Sequence, residues 1–208
     1  MSNILLVTSS PRGAASHSSR LARSLAERLA SGEAGSKLVI RDLSREPLPH
    51  IGEDFVTAQA TPAAQRSAAQ SAAVALSDRL IAEVQAADVL VIASAMINFG
   101  IASTLKTYID HLLRAGSTFR YTENGPEGLV KGKKAYIVQA SGGVYSQGPL
   151  QAYNFQDTYL KRVLGFIGIS DVEVISIEGI ALGAEAAEKA LQAAAGRVSS
   201  IAPHVAAA

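Results

Sequence analysis

Apolar residues in this chain fall into five short runs separated by longer segments with a different pattern. The runs occupy residues 4–7, 37–43, 88–96, 134–141 and 170–179. The third run is almost continuously apolar, which is typical of a central parallel strand covered on both faces. Each run predicts one strand, and the intervening segments predict the connections between them.

Most connections carry apolar residues three and four positions apart, which predicts helices. The helices expected in this way begin near residue 18 and end near residues 32–35, and then span 64–87, 104–116, 150–166 and 185–202. Residues 44–64 have three prolines and no steady period, so they predict a long loop over a site or an interface. Residues 117–133 alternate around Phe119 and Tyr121 and then turn at residues 124–126, which predicts a hairpin.

Strands that alternate with helices indicate an α/β fold with right-handed crossovers. Five strands in about 200 residues fit a flavodoxin-like doubly wound parallel sheet with strand order 2-1-3-4-5 and helices on both faces. No repeat or linker interrupts the pattern. We therefore expect residues 1–208 to form a single domain.

Composition narrows the classes of partner. The 19 basic and 18 acidic residues nearly cancel, which argues against a nucleic-acid groove or a polybasic membrane patch and favours a small-molecule ligand. The chain has no cysteine, and its histidines (His17, His50, His111 and His204) show no ligand spacing, so no metal site is expected. The chain has no run of about 18 apolar residues, so no membrane-spanning helix is expected. The first apolar run has no basic segment before it, so it is interpreted as a core strand and not as a signal peptide. These features predict a cytoplasmic protein.

Three loops follow the first, third and fourth strands, and they meet at one edge of such a sheet, where ligands bind. The first loop is rich in hydroxyls, among them Ser10, Ser16 and Ser18, and it leads into a helix whose free N–H groups favour an anion. The alternative is that Ser16 only caps the helix. The chain contains neither GxGxxG nor GxxxxGK[ST], so the loop predicts a monophosphate site rather than a dinucleotide or Walker site.

The other two loops suit a flat ring system. Met96, Ile97 and Phe99 offer an apolar surface beside the amide of Asn98, and the glycines at 142 and 143 let backbone N–H groups approach a polar rim. Each feature has a structural alternative, since the apolar residues could be core and the glycine pair a tight turn.

Several motifs in these loops and beyond them resemble those of one family. The chain resembles the FMN-dependent NADH azoreductases, also described as FMN-dependent NADH:quinone oxidoreductases, over almost its whole length. The resemblance is carried by MINF (96–99), FRYTENGPEGLVKGKKA (119–135), SGG (141–143), LGFIGI (164–169) and EGIA (178–181). Within the second of these motifs, FRYTENGPEGL is the most specific.

The resemblance implies a cofactor site and an assembly. It implies that Ser10, Ser16, His17 and Ser18 hold the FMN phosphate, that Met96, Ile97, Asn98 and Phe99 line the isoalloxazine, and that Ala140, Ser141, Gly142 and Gly143 contact its pyrimidine edge. It also implies a homodimer with two sites at the subunit boundary. Tyr121 and Val163 are expected to form part of the substrate pocket.

The chain departs from the common PMYNF form of the family motif at Ala95 and Ile97, and it has Val163 where relatives often carry an aromatic residue. Loss of the aromatic face at Ile97 is expected to change ring packing and acceptor range.

The implied activity is a ping-pong transfer of two electrons from NADH, or alternatively NADPH, to a quinone, azo or nitro-aromatic acceptor. The flavin N5 would carry the chemistry, and no side chain is assigned as a catalytic acid or base. The alternative is a flavodoxin-type electron carrier. Such carriers are typically strongly acidic, whereas this chain is balanced.

Overall fold

The computed structural model describes residues 1–202 and contains a five-stranded parallel sheet and a separate two-stranded hairpin. In chain order, the strands are β1 (Asn3–Thr8), β2 (Lys37–Asp42), β3 (Val89–Ala95), β4 (Phe119–Thr122), β5 (Gly125–Gly128), β6 (Lys134–Ala140) and β7 (Asp171–Ile177). The large sheet has the order β2-β1-β3-β6-β7, with all neighbours parallel. Without the hairpin strands, this is the predicted order 2-1-3-4-5, which is therefore confirmed.

Six α-helices connect these strands. They are α1 (His17–Ser31), α2 (Glu53–Ala60), α3 (Ala68–Ala86), α4 (Ser103–Leu112), α5 (Asp157–Ile167) and α6 (Ala184–Ser200). Helix α3 starts with a capping box, in which the Ser67 side chain accepts from the Gln70 N–H and the Gln70 side chain accepts from the Ser67 N–H. Short 3₁₀ turns occur at Gly13–Ala15, Ala63–Gln65, Pro149–Tyr153 and Ile180–Leu182.

The sheet has a hydrophobic core on each face. On β1, Leu5 and Val7 pack in one cluster with α3, α4 and α5, while Ile4 and Leu6 pack in another with α1 and α6. This alternation follows from the two-residue period of a strand. The predicted placement of helices on both faces is confirmed.

The sequence-based boundaries are wrong by the largest margin in two places. Residues 44–64 are not a continuous loop, because α2 forms within them and buries Phe55 and Ala58. The segment before α2 is also held down, since the Nε2 of His111 donates to the Pro49 carbonyl oxygen at 2.9 Å and the His111 ring packs against Phe55. The helix predicted over 150–166 begins only at Asp157, after a 3₁₀ turn.

The predicted hairpin is confirmed, with Tyr121 of β4 paired to Pro126 of β5. Its base is packed against the end of α5 so closely that a Cβ on Gly128 would lie 2.2 Å from the backbone nitrogen of Gly168. Just beyond β5, the Val130 N–H donates to the Ile167 carbonyl oxygen at 2.8 Å. The hairpin is therefore fixed to the body of the domain at its base.

In the part of the chain that the structure covers, no helix has the length and apolarity needed to cross a membrane. Within the same 202 residues, no group of three or more histidine, aspartate or glutamate side chains is arranged to hold a metal ion. His204 lies outside the described residues.

Candidate functional site

A cleft of about 400 Å³ opens at the carboxyl ends of β1, β3 and β6. It is lined by Ser10, Pro11, Arg12, Ser16, His17, Ala95, Met96, Ile97, Ala140, Ser141, Gly142, Ile180 and Ala181. Eight of the twelve residues predicted to bind the cofactor are among these. Of the other four, Ser18, Asn98 and Gly143 are each next to a lining residue in the chain, and Phe99 is two residues beyond Ile97.

One end of the cleft is built from serine hydroxyls and the start of α1. The Ser16 Oγ caps the helix by accepting from the Ser19 N–H at 3.3 Å, and it lies 3.2 Å from the Ser18 Oγ. The Ser10 Oγ accepts from the Arg12 N–H at 3.3 Å. The His17 and Ser18 N–H groups precede the first helical hydrogen bond and have no acceptor within residues 1–202. Capping and anion binding are therefore compatible at this helix end.

The same end carries positive charge. An Arg20 guanidinium nitrogen lies 3.0 Å from the His17 Nδ1, which must accept because guanidinium has no acceptor atom. Burial lowers the pKa of His17, and the charges of Arg20 and Arg12 lower it further. In contrast, the Ser9 hydroxyl is committed to the fold, since it donates to the Ala93 carbonyl oxygen at 3.0 Å.

The loop after β3 makes a tight turn at residues 97–100. The N–H of Ile97 donates to the Gly100 carbonyl oxygen at 2.9 Å, and the reverse bond measures 3.0 Å. The two central residues, Asn98 and Phe99, have φ values of 46° and 72°, as in a type I′ turn. Asparagine is favoured at the first of these positions and glycine at the second, so the strain, about 1–3 kcal/mol, falls mainly on Phe99. The turn holds the Ile97 side chain at the cleft and leaves it 39% exposed.

The loop after β6 forms the other end of the cleft. The N–H groups of Gly142 and Gly143 have no acceptor among the described residues, whereas their carbonyl oxygens accept from the N–H groups of Ala181 (2.9 Å) and Gly179 (3.0 Å). A Cβ on Gly142 would lie 3.3 Å from the Ala181 side chain, so a larger residue would crowd this wall. The arrangement leaves two backbone donors available to a ligand.

Sequence reasoning missed the loop after β7, which closes this wall of the cleft. The Glu178 carboxylate accepts from the N–H groups of Tyr145 (2.7 Å) and Ser146 (2.9 Å), and Ile180 and Ala181 line the cleft. The signal was present, because EGIA follows the last strand of the sheet at the same edge as the other three loops. Arg12 was also missed, since it was treated only as part of a hydroxyl-rich loop.

The two residues assigned to a substrate pocket do not line this cleft. Tyr121 is 74% exposed on the hairpin, and its ring contacts Phe119 edge to face at 5.5 Å. Val163 is 9% exposed and belongs to the core under α5. A second, more open cleft of about 530 Å³ lies beyond the 97–100 turn, and its lining residues are Gly100, Ile101, Lys106, Phe155, Thr158, Tyr159 and Arg162.

The cleft therefore provides hydroxyl, amide and cationic groups at one end, free amides at the other and an apolar surface between them.

A family model described as a flavodoxin-like fold matches residues 2–201. The chain is 57% identical over 202 residues to FMN-dependent NADH:quinone oxidoreductase 1 of Rhizobium etli, covering 97% of this chain and 98% of the relative.

Solved structures agree with this relationship. An azoreductase from Bacillus anthracis str. Sterne superposes with a TM-score of 0.90 at 30% identity, covering 98% of this chain and 99% of that one. An FMN-dependent NADH-azoreductase from Bacillus anthracis str. Ames Ancestor, solved in complex with FMN, shares the fold with a TM-score of 0.86 at 24% identity, covering 97% of this chain and 100% of the other. Sequence and fold together show that this chain belongs to the FMN-dependent NADH:quinone oxidoreductase family of flavodoxin-like proteins.

Proposed function

We propose that the chain binds FMN in the 400 Å³ cleft and transfers electrons from NADH to quinone and azo acceptors. One observation carries the proposal: free hydrogen-bond donors stand at both ends of an otherwise apolar cleft. The donors at the α1 end suit the phosphate of FMN, and the backbone amides at the other end suit the polar edge of its ring. The relatives' names add the cofactor, the reductant and the acceptor class.

At the α1 end, we assign the phosphate to Ser10, Ser16 and Ser18 together with the free N–H groups of His17 and Ser18. A phosphate here accepts from hydroxyls and amides and gains from the helix dipole. The nearby guanidinium groups of Arg12 and Arg20 add to this attraction.

At the other end, the isoalloxazine would lie between residues 96–99 and residues 140–143. The N–H groups of Gly142 and Gly143 are free to donate to the pyrimidine carbonyl side of the ring, and such donors favour negative charge there. Met96 and Ile97 supply apolar contact to the ring.

Bound FMN would supply the hydride-accepting chemistry. The residues that line the ring end are Ala95, Met96, Ile97, Ala140, Ser141 and Gly142, and none of these six side chains is an acid or base at neutral pH. Protons for the reduced acceptor would therefore come from water, and the role of the chain is to position the reactants. We further propose that reductant and acceptor use the same open side of the cleft in turn, which gives ping-pong kinetics.

The proposal includes a homodimer. Large apolar side chains stand exposed near the cleft and on the hairpin, and their number supports a self-association surface. They include Phe99, Tyr121, Tyr153, Phe155 and Leu182. Such an assembly would give Tyr121 a place at a substrate site that its own chain does not provide, with Val163 behind the pocket wall. We also propose that residues 1–208 form one FMN-binding domain and that the protein is cytoplasmic, since it lacks cysteine.

Absorbance spectroscopy of the purified protein tests the cofactor and the activity. We expect FMN at about one per chain, loss of the flavin absorbance with NADH under anaerobic conditions, and its return when a quinone or azo compound is added. Protein that cannot be reconstituted with FMN would overturn the proposal. A stable semiquinone without NADH turnover would instead identify a flavodoxin-type carrier.

Three further measurements test the kinetic order, the oligomeric state and the choice of reductant. Initial rates at varied NADH and quinone should give parallel double-reciprocal lines, and intersecting lines would rule out the ping-pong order. Light scattering should give a mass of twice the 21.6 kDa chain, and a monomer would rule out the dimer. Parallel assays with NADPH determine the reductant.

A further inference from the structure

Residues 153–156 run from the last residue of a 3₁₀ turn to the start of α5, and they connect the end of β3 to the 97–100 turn that follows it. We propose that Gln156 is a positioning residue, which holds the strained 97–100 turn in the conformation that receives the flavin ring. The inference rests on the proposed function, and it concerns a residue that does not line the cleft itself.

The Gln156 side chain is fully buried although it is polar. Its Nε2 donates to the Ser94 carbonyl oxygen at 3.0 Å and lies 2.9 Å from the Ser94 Oγ. Ser94 is 62 positions earlier in the chain and only two residues before Met96. The Gln156 Oε1 has no partner among the described residues. A buried acceptor without a partner costs free energy, so the presence of an amide at this position calls for an explanation.

The neighbouring residue holds the turn itself. The Phe155 N–H donates to the Phe99 carbonyl oxygen at 3.0 Å, and the Phe99 ring packs 5.3 Å from that of Tyr153. Gln156 thus fixes residues 153–156 against β3, and Phe155 then holds the second left-handed residue of the turn.

This connection matters because the 97–100 turn is not favoured by its own sequence. Phe99 has a φ of 72° at a position where a type I′ turn prefers glycine, so the isolated segment would relax to other conformations. When only a fraction of molecules holds the binding conformation, the apparent affinity falls by that fraction. Gln156 therefore acts on affinity by raising the fraction of molecules that are ready to bind.

The test is Gln156→Leu, which keeps the approximate size of the side chain and removes both hydrogen bonds. We expect the dissociation constants of FMN and of riboflavin to rise by the same factor, about tenfold or more, because the ring end is affected and the phosphate end is not. The visible circular dichroism of the bound flavin should also change, since the ring loses its fixed surroundings.

Ser77→Ala is the matched control, because the buried Ser77 hydroxyl donates to the His111 carbonyl oxygen at 2.6 Å on the α3–α4 side of the domain. It should lower thermal stability without changing flavin affinity. If Gln156→Leu does not fold, Ser94→Ala is the second variant, because it removes one of the two contacts. It should weaken the binding of both FMN and riboflavin severalfold.

The outcomes separate the inference from the function. Wild-type protein that binds no flavin would defeat the proposed function. Wild-type protein that binds FMN, together with folded Gln156→Leu or Ser94→Ala whose flavin affinities and dichroism match wild type, would overturn the inference alone. A loss for FMN with riboflavin unchanged would also overturn it, because that result places the effect at the phosphate.

Discussion

The double substitution Ser10→Ala with Ser18→Ala tests the phosphate assignment at the α1 end of the cleft. Both serines are almost fully buried, and neither hydroxyl caps the helix, which is the role of Ser16. The substitution therefore removes two hydroxyls from the proposed site and leaves the Ser16 cap in place.

The magnitude follows from the number of bonds lost. A hydrogen bond to a charged group contributes about 1.5–3 kcal/mol. The lower value applies here, since Ser18 already lies 3.2 Å from Ser16 and Ser10 accepts from the Arg12 N–H. Two such bonds give about 3 kcal/mol, or a loss of FMN affinity on the order of 100-fold.

Titration of the apoprotein by quenching of flavin fluorescence gives both dissociation constants. Riboflavin lacks the phosphate, so its affinity should change by less than about threefold, within the range of a small indirect effect. Ser9→Ala is a matched control in the same loop, because that hydroxyl donates to Ala93 and should not alter the ratio of FMN to riboflavin affinity. Equal losses for both flavins in the double variant would refute the assignment.

Three other predictions concern separate parts of the chain. Ile97→Tyr should change the ratio of quinone to azo turnover by about threefold or more while FMN affinity changes less, and an unchanged ratio in steady-state assays would contradict this. The pKa of His17 is lowered from its ordinary value of 6.5, so less than half of the free protein carries a proton there at pH 6.5, and bound phosphate should favour the protonated form. Calorimetry in two buffers should therefore show less proton uptake on FMN binding by His17→Asn than by wild type, and equal uptake would exclude this role for His17. Gly128→Ala should lower the free energy of unfolding by about 3 kcal/mol, or the thermal midpoint by roughly 6–12 °C, because the added Cβ meets the Gly168 backbone. The control Gly165→Ala places its Cβ in open space and should have little effect. Equal thermal midpoints for the two variants would disprove the close contact.

The pattern of apolar residues was sufficient to predict the strands of the sheet, because each strand is visible in a short stretch of sequence. The run at 88–96 forms a strand that is buried on both faces, so most of its residues are apolar. Helix α2 was missed for the opposite reason: of its eight residues only Phe55 and Ala58 are buried, and two positions do not establish a period.

The start of α5 could not be predicted because a distant contact decides it. Gln156 turns inward to Ser94, and regular α-helix begins only at the next residue. The 97–100 turn could not be predicted either, since Phe99 stands at the left-handed position where a type I′ turn normally has glycine. For the cofactor site, loop composition indicated which strand ends to consider, whereas Glu178 was missed because its carboxylate acts on the backbone of another loop.

The close packing of Gly128 on Gly168 has a consequence for Tyr121. Backbone touches backbone at the base of the hairpin, so this arm cannot swing about its base without breaking the contact. The backbone at the base of the hairpin that carries Tyr121 is thus held against the domain. In a dimer, the position of the Tyr121 ring relative to the partner's cleft would therefore depend on how the two subunits dock. A small change in their relative orientation would move the ring with the rest of its domain.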